Sequence, residues 1–168
     1  MSFLNINGAV VANTSYVNNT LVAKDVAITL PEVVPQTFDV AAMGTLSLPI
    51  WQLIDNMETT IAKIGIDLGL RALITPEPLD IEHRWVFTRT DANGKTTNVG
   101  CKAFLHAIPN KIPSVSPAVG EAGENECAAT VTRYQLFVDG VEMWLIDKLA
   151  GIVRIGGKDY TGGVQSML

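Results

Sequence analysis

Residues 127–160 read CAATVTRYQLFVDGVEMWLIDKLAGIVRIGGKDY, and this stretch carries the clearest structural signal in the chain. Two apolar-rich runs meet at Asp139-Gly140, a dipeptide that accepts the positive φ angles of a two-residue type I′ turn. Because side chains alternate along a strand, this turn predicts one apolar face and one mixed face, the latter typical of a sheet that meets a partner or a wet channel. The apolar face would pair Val138 with Val141, Leu136 with Met143 and Tyr134 with Leu145; the mixed face would pair Phe137 with Glu142, Gln135 with Trp144 and Arg133 with Ile146.

Further hairpin signals lie on both sides of this stretch. Residues 151–155 end at Gly156-Gly157, and residues 81–90 and 96–108 flank a DANG turn sequence. Several strands at hairpin spacing, with one short helix, predict a mainly β fold: an antiparallel sandwich or barrel in a single domain over residues 1–168.

The first third of the chain predicts shorter strands. Residues 3–17 hold the apolar side chains Phe3 and Leu4 and later apolar runs beyond Asn7-Gly8, a pattern typical of short strands or an arm. Residues 24–30 alternate and stop at Pro31, which has no N–H for further pairing.

Residues 53–72 fit two patterns, a helical stripe and a β-branched strand. Gly65 and Gly69 weaken a long helix. We therefore predict a strand to about Ile64 and one short helix over residues 67–74, with Asp67 as its N-cap and Pro76 as its terminator.

The composition indicates a covered surface. Hydrophobic residues make up 48% of the 168 positions and charged residues 17%, against about 25% charged in typical globular chains. A monomer of this size needs a charged surface, so the low proportion of charged residues favours an oligomer. The net charge of −5 argues against tight nucleic-acid binding, which needs clustered lysine and arginine.

The N-terminal residues 1–23 carry no charge, but they lack the basic region and unbroken apolar core of a signal peptide. No run reaches the roughly 18 to 20 apolar residues of a membrane span. The sequence therefore predicts a chain made in the cytoplasm, with no membrane anchor.

Two segments are candidates for assembly. Residues 40–54 carry no charge, and Pro49 favours an edge strand or an arm, the alternative being an internal core strand. The loop at about 109–126 contains three prolines and is too long for a tight turn. The predicted interface residues in the uncharged segment are Met43, Leu46, Leu48, Ile50 and Trp51.

No catalytic, metal or cofactor site is predicted. His83, His106, Cys101 and Cys127 are the residue types of a zinc site, but no CxxC or HxxxH spacing exists. Cys101 and His106 have opposite strand parity and so face opposite sides, which also disfavours a Cys–His nucleophile pair. The sequence predicts a protein that is not an enzyme.

The order of motifs resembles the major tail tube proteins of contractile-tailed phages and R-type bacteriocins. The resemblance rests on VAITLP at 26–31, AMG at 42–44, METTI at 57–61, Gly123-Glu124 before Glu126, and the hairpin over residues 134–147 with Asp139-Gly140 at its tip.

This resemblance implies hexameric rings that stack into a tube, with sheets joining across subunits around a hollow lumen for DNA passage or envelope puncture. It implies a contractile sheath protein, baseplate and tail terminator proteins, and a tape measure protein or DNA in the lumen. It further implies assembly in a virion tail or phage-like particle released from the host bacterium by lysis. The alternative is a tube protein of a type VI secretion-like or other contractile injection system. Arg133, Gln135 and Trp144, on the predicted mixed face, complete the candidate subunit interface.

Overall fold

A computed structural model of the chain describes residues 5–168, which form antiparallel β-structure with one α-helix. The predictions for Phe3 and Leu4 lie outside the described residues. The elements are β1 (Ile6–Val17), β2 (Thr20–Lys24), β3 (Ala27–Thr29), β4 (Pro35–Ala41), β5 (Thr45–Ile54), β6 (Met57–Ile64), α1 (Leu68–Ile74), β7 (Leu79–Thr90), β8 (Thr96–Pro109), β9 (Glu124–Val138), β10 (Val141–Asp147), β11 (Ile152–Ile155), β12 (Lys158–Asp159) and a 3-10 turn (Gln165–Met167).

Strand β9 is the centre of the main sheet. One of its edges pairs with β8, while the other pairs with β6 along its first half and with β10 along its second half. The sheet runs in the order β12-β11-β10-β9-β8-β7-β1-β2, and β3 joins it by pairing with β6. Hydrogen bonds do not close the described strands into a barrel, so the predicted mainly β fold takes its sandwich-like form.

The core lies between the curled sheet and helix α1. Its most deeply buried large side chains come from β6, β9 and β10, and α1 adds Leu70 and Leu73. The predicted hairpin β7–β8 supplies alternate residues to this core, since Ile81 lies opposite Leu105 and His83 opposite Ala103 and all four are buried. Burial of these side chains, at about 25 cal/mol per Å² of apolar surface, is the main stabilising term.

Helix α1 begins and ends as the sequence predicts. The carboxylate Oδ1 of Asp67 accepts a hydrogen bond of 2.9 Å from the backbone N–H of Leu70, and this bond lowers the pKa of Asp67. The Nζ atom of Lys63 lies 3.1 Å from the same carboxylate and donates a hydrogen bond of 2.6 Å to the backbone carbonyl of Val22. Lys63 therefore connects the start of the helix to β6 and β2.

Substitution of this cap should weaken the fold measurably. We expect Asp67→Ala to lower the free energy of unfolding by about 1 kcal/mol, because the first helical N–H groups lose their acceptor. Urea unfolding of the unassembled protein measures the change. Asp67→Asn, which keeps an acceptor oxygen, should lose less; equal stability of the alanine variant and the wild type would contradict the role of the cap.

The tip of the β9–β10 hairpin confirms the predicted turn and the predicted pairs of Val138 with Val141 and Phe137 with Glu142, but the predicted register beyond Glu142 is wrong. Asp139 and Gly140 have φ angles of 52° and 77°, and Val138 pairs with Val141. A bulge at Met143 then shifts the ladder by one residue. The observed pairs are Phe137 with Glu142, Leu136 with Trp144, Gln135 with Leu145, Tyr134 with Ile146 and Arg133 with Asp147.

The bulge has a packing reason. It leaves Met143 exposed and turns Trp144 and Ile146 toward the core, where the Trp144 ring meets Tyr134 edge-on at 5.7 Å. Without the extra residue the ladder would have placed Leu145 opposite Tyr134 on the core face and Trp144 and Ile146 on the other face.

Two predictions near the N-terminus also need correction. Residues 6–17 form one continuous strand, because β7 runs beside it from Val17 to Ile6, with bulges on both sides of Val10 and Asn7 at the edge of the first bulge. The predicted strand over residues 24–30 breaks at Asp25, whose φ is 53°, so β2 ends at Lys24 and the part that pairs with β6 is only Ala27–Thr29.

Candidate subunit interface

Strands β4 and β5 form a two-stranded sheet of their own, separate from the main sheet. The turn between them, residues 42–44, places Met43 and Gly44 at positive φ angles of 51° and 115°. Both strands of such a ribbon are edge strands, so Pro49 removes no hydrogen bond from a larger sheet. The uncharged segment is therefore an arm and not an internal core strand. We call residues 35–54 the arm.

One face of the arm is apolar and exposed. Phe38 pairs with Leu48 and Val40 pairs with Leu46, and Ile50 follows on the same face of β5. Phe38 is 47%, Leu46 46% and Leu48 37% exposed. The opposite face is polar, with the hydroxyl of Ser47 donating to the carboxylate of Asp39. We call Phe38, Val40, Leu46, Leu48 and Ile50 the arm face; it is the surface on which a partner would gain most by excluding water.

The tip and base of the arm hold the other two predicted residues of this segment. Met43 projects fully into solvent at the tip. Trp51, at the base, lines an apolar cleft of about 320 Å³ that Trp144 lines from the other side. The structure thus brings Trp51 and Trp144 together, although they were predicted in different parts of the interface. The remaining lining residues are Pro31, Val33, Ile146 and Ile155.

Arg133 and Gln135 lie on the outer face of β9, away from Trp144, which the bulge turns to the core side. The side-chain oxygen of Gln135 accepts a hydrogen bond of 3.3 Å from the guanidinium of Arg133, and its amide nitrogen donates one of 2.8 Å to the carboxylate of Glu142. Arg154 then holds Glu142 through two hydrogen bonds of 2.7 and 2.9 Å, which lower the pKa of that carboxyl. The predicted grouping of Arg133, Gln135 and Trp144 on one face is therefore wrong.

Arg154 is a member of this network that the sequence reasoning missed. Arg154 lies on β11 and pairs with Leu145 of β10. The turn between these strands, residues 148–151, is longer than two residues, so its sequence does not determine which residues of β10 and β11 pair. The signal that could have found it is the Gly156-Gly157 turn, which follows the end of β11 and so places Arg154 one residue before the strand end at Ile155.

The titratable residues considered for chemistry are dispersed. His83 is fully buried, bonded through Nδ1 to the hydroxyl of Ser15 at 2.8 Å, and burial lowers its pKa to about 4. His106 lies on the other side of the sheet and contacts Asp80 at 2.8 Å. Burial raises the pKa of both the Cys101 and the Cys127 thiol. The predicted opposite parity of Cys101 and His106 is confirmed.

Within residues 5–168, no three His, Cys, Asp or Glu side chains are grouped as a metal site would require. In the same described part of the chain, no helix has the length and apolar character needed to cross a membrane. What the geometry offers is an exposed apolar arm face with a cleft at its base, and a separate polar network on the outer face of β9.

A comparison with protein families finds one that accounts for nearly the whole chain. The sequence model of the family described as Phage tail tube protein FII matches residues 9–168. The chain belongs to this family. It is therefore a structural protein of a tail tube, and the resemblance drawn from its motifs is confirmed.

This tail tube protein shares its fold with single chains from two solved structures of larger assemblies. Two similar chains come from cryo-EM structures of the extracellular contractile injection system PVC, one titled as the sheath-tube complex in the extended state and one as the sheath/tube terminator in the extended state. Each has 13% sequence identity and a TM-score of 0.52 and covers 77% of this chain; the alignments cover 90% and 95% of those chains respectively. No curated protein matches the sequence.

Proposed function

We propose that the chain, as a single tube domain over residues 1–168, forms the inner tube of a contractile phage tail or phage-tail-like bacteriocin. In this proposal hexameric rings stack into a hollow tube, and sheets join across subunits. The observation that carries it is the arm face, which is apolar, exposed and built on a ribbon whose two strands pair with each other and, in the described part of the chain, not with the main sheet. Two-stranded ribbons are marginally stable alone, so a neighbouring subunit is the natural cover.

The other predicted interface residues take distinct places in this proposal. Met43 lies at the exposed tip of the arm, and Trp51 and Trp144 form a cleft that could receive a side chain of a neighbour. Arg133 and Gln135 belong to the polar network on the other face of β9, so any contact they make with a neighbour is separate from this cleft.

The proposed partners are a contractile sheath protein outside the tube, terminator and baseplate proteins at its ends, and a tape measure protein or DNA in its lumen. Support for the first two comes from the titles of the structures that share the fold, which name a sheath-tube complex and a sheath/tube terminator. We propose synthesis in the host bacterial cytoplasm, assembly into the particle and release by lysis.

The assembly can be tested by negative-stain microscopy of the purified chain and of particles from its host. We expect hollow tubes of uniform diameter, with rings as the unit of length. A monomer at all concentrations tested, in the presence and absence of a baseplate to nucleate growth, would contradict the proposal.

A type VI secretion-like or other contractile injection system tube is a second candidate. The fold shared with the PVC chains favours it, since that fold occurs in a particle that is named an injection system. Neighbouring genes and the particle's contents separate the two: a packaged genome on the particle indicates a phage tail.

The lumen should not retain DNA. Each subunit contributes a net charge of −5, and a negative wall repels phosphate so that DNA can slide. We expect tubes mixed with short duplex DNA at low salt, where attraction would be strongest, to leave the DNA unbound in a sedimentation assay. Strong retention that falls steeply as salt is added would show a basic lumen and overturn this part of the proposal.

The long loop predicted at about 109–126 lies at residues 110–123 between β8 and β9. Its Ile112 and Val119 side chains are exposed, as expected of a segment that is covered in the assembled particle. Limited proteolysis should cut this loop at least about tenfold faster in the unassembled protein than in tubes, because cleavage needs local opening. Equal rates in the two states would show that the loop remains uncovered.

A further inference from the structure

The loop between β8 and β9 forms an apolar groove with the turn between β6 and α1. The groove has a volume of about 430 Å³. Its walls are held by two hydrogen bonds, one of 2.9 Å from the N–H of Gly65 to the carbonyl of Gly123 and one of 2.9 Å from the amide of Asn125 to the carbonyl of Gly65. We call this the loop groove; its apolar lining residues are Ile66, Val115, Pro117, Ala118 and Val119.

The apolar side chains of the loop groove are exposed in the single chain. Ile66 is 67% exposed and Val119 is completely exposed. Ile64 and Leu68, on either side of Ile66 in the sequence, are also exposed, so the apolar surface continues beyond the groove. Glu121 is the one charged residue among the groove's lining residues in the described part of the chain.

The loop groove and the arm lie at opposite ends of strand β9. The groove adjoins the first residue of β9, Glu124, whereas Trp51 of the arm lies beside Trp144, the partner of Leu136. At about 3.3 Å per residue the path along β9 from Glu124 to Leu136 is roughly 40 Å. The arm continues beyond Trp51 toward the tip at Met43, and within residues 5–168 its strands pair with neither β6 nor β9.

We propose that the arm face of one subunit docks in the loop groove of the next subunit, in a head-to-tail contact between copies of this chain. This inference rests on the proposed tube function and names the two surfaces that join. The chemistry of the surfaces supports a second copy as the occupant. The arm carries no charge over residues 40–54, so its docking buries no unpaired charge against the apolar lining of the groove.

The position of the two surfaces determines the kind of assembly. A contact between two different patches of the same chain is heterologous, and it repeats without limit unless its rotation closes a ring. Because the patches lie at opposite ends of a rigid strand, each subunit can donate its arm at one end and receive an arm at the other.

Site-directed cross-linking tests this contact. Leu46→Cys places a thiol on the arm face and Val119→Cys places one at the loop groove, while the native Cys101 and Cys127 are buried. We expect a short bis-maleimide to link chains that carry both substitutions into ladders of trimers and longer species. A mixture of the two single variants should give dimers, and each single variant alone should remain uncross-linked.

Different results would overturn the proposal. Self-linking of the Leu46→Cys variant would show arm-to-arm pairing, and absence of ladders in tubes formed by the double variant would show that the groove accepts something other than the arm. Thr45→Cys with Val119→Cys is the matched control, since Thr45 lies on the opposite face of β5 and should link at least about tenfold less. Microscopy of the same samples reports tube formation separately, so absence of tubes counts against the proposed function whether or not ladders form.

Discussion

Leu48→Asp should abolish tube formation while leaving the subunit folded. Leu48 lies in the middle of the arm face, 37% exposed and opposite Phe38. In an assembled tube an aspartate there would be an unpaired buried charge, which costs about 3 to 5 kcal/mol. A loss of about 3 kcal/mol per contact lowers the association constant more than about 100-fold. Light scattering and negative-stain imaging measure assembly, and circular dichroism measures folding.

The matched control is Thr45→Asp, which adds the same charge to the opposite face of the same strand. Its tubes should form within about a few-fold of the wild-type yield, because surface substitutions outside a buried contact change free energies by about 0.5 kcal/mol or less. Tubes of normal yield from Leu48→Asp would show that the arm face stays in solvent and would remove the main support for the proposed assembly.

His83 should make the subunit sensitive to mild acid. Its imidazole is buried beside Ser15 and its Nε2 has no hydrogen-bond partner among the described residues. Burial lowers its pKa from 6.5 to about 4. Between these two values the unfolded chain binds a proton that the folded chain does not, so stability falls as the pH falls through this window and is fully retained above it. The loss at pH 4 is about 3 kcal/mol, from 1.36 kcal/mol per pKa unit.

His83→Asn tests this origin because asparagine keeps a polar atom near the position of Nδ1 but does not titrate. We expect urea unfolding between pH 4 and 6.5 to show a shallower pH dependence for the variant than for the wild type, whatever its absolute stability. His106→Asn, which makes the same substitution on the outer face, is the matched control. Identical slopes for His83→Asn and the wild type would assign the acid sensitivity to other groups.

Local chemistry explains why much of the fold was predictable. The turns and the helix start lie where predicted, because each depends on the local conformation of a few residues and not on distant contacts. These residues are Asp139-Gly140, Gly156-Gly157 and Asp67. The β7–β8 hairpin followed because its residues alternate over a long, regular ladder.

What escaped prediction depends on contacts distant in sequence. The bulge at Met143 places Trp144 and Ile146 on the core side and Leu145, which is also buried, on the other side, and no feature of the hairpin sequence alone specifies that choice. The continuity of β1 depends on the length of β7, which lies more than sixty residues away. For the candidate interface, the lack of charge identified the arm, but the loop groove is formed by two segments that only the fold brings together.

The register shift at the base of the arm affects which mutations the chain can accept during evolution. Pro35 pairs with Ile54 but the next residue, Gln36, pairs with Ile50, so three residues of β5 loop out and separate the ladder of the arm from the packed body. Ile54 is buried below this step, while the arm residues above it are exposed or only half-buried. In the proposed assembly, the arm residues above the step govern association, whereas Ile54 and the core below it govern folding. Mutation can alter which neighbour the arm accepts without risking the stability of the subunit, and a lineage of such proteins can diverge in assembly while its fold stays constant.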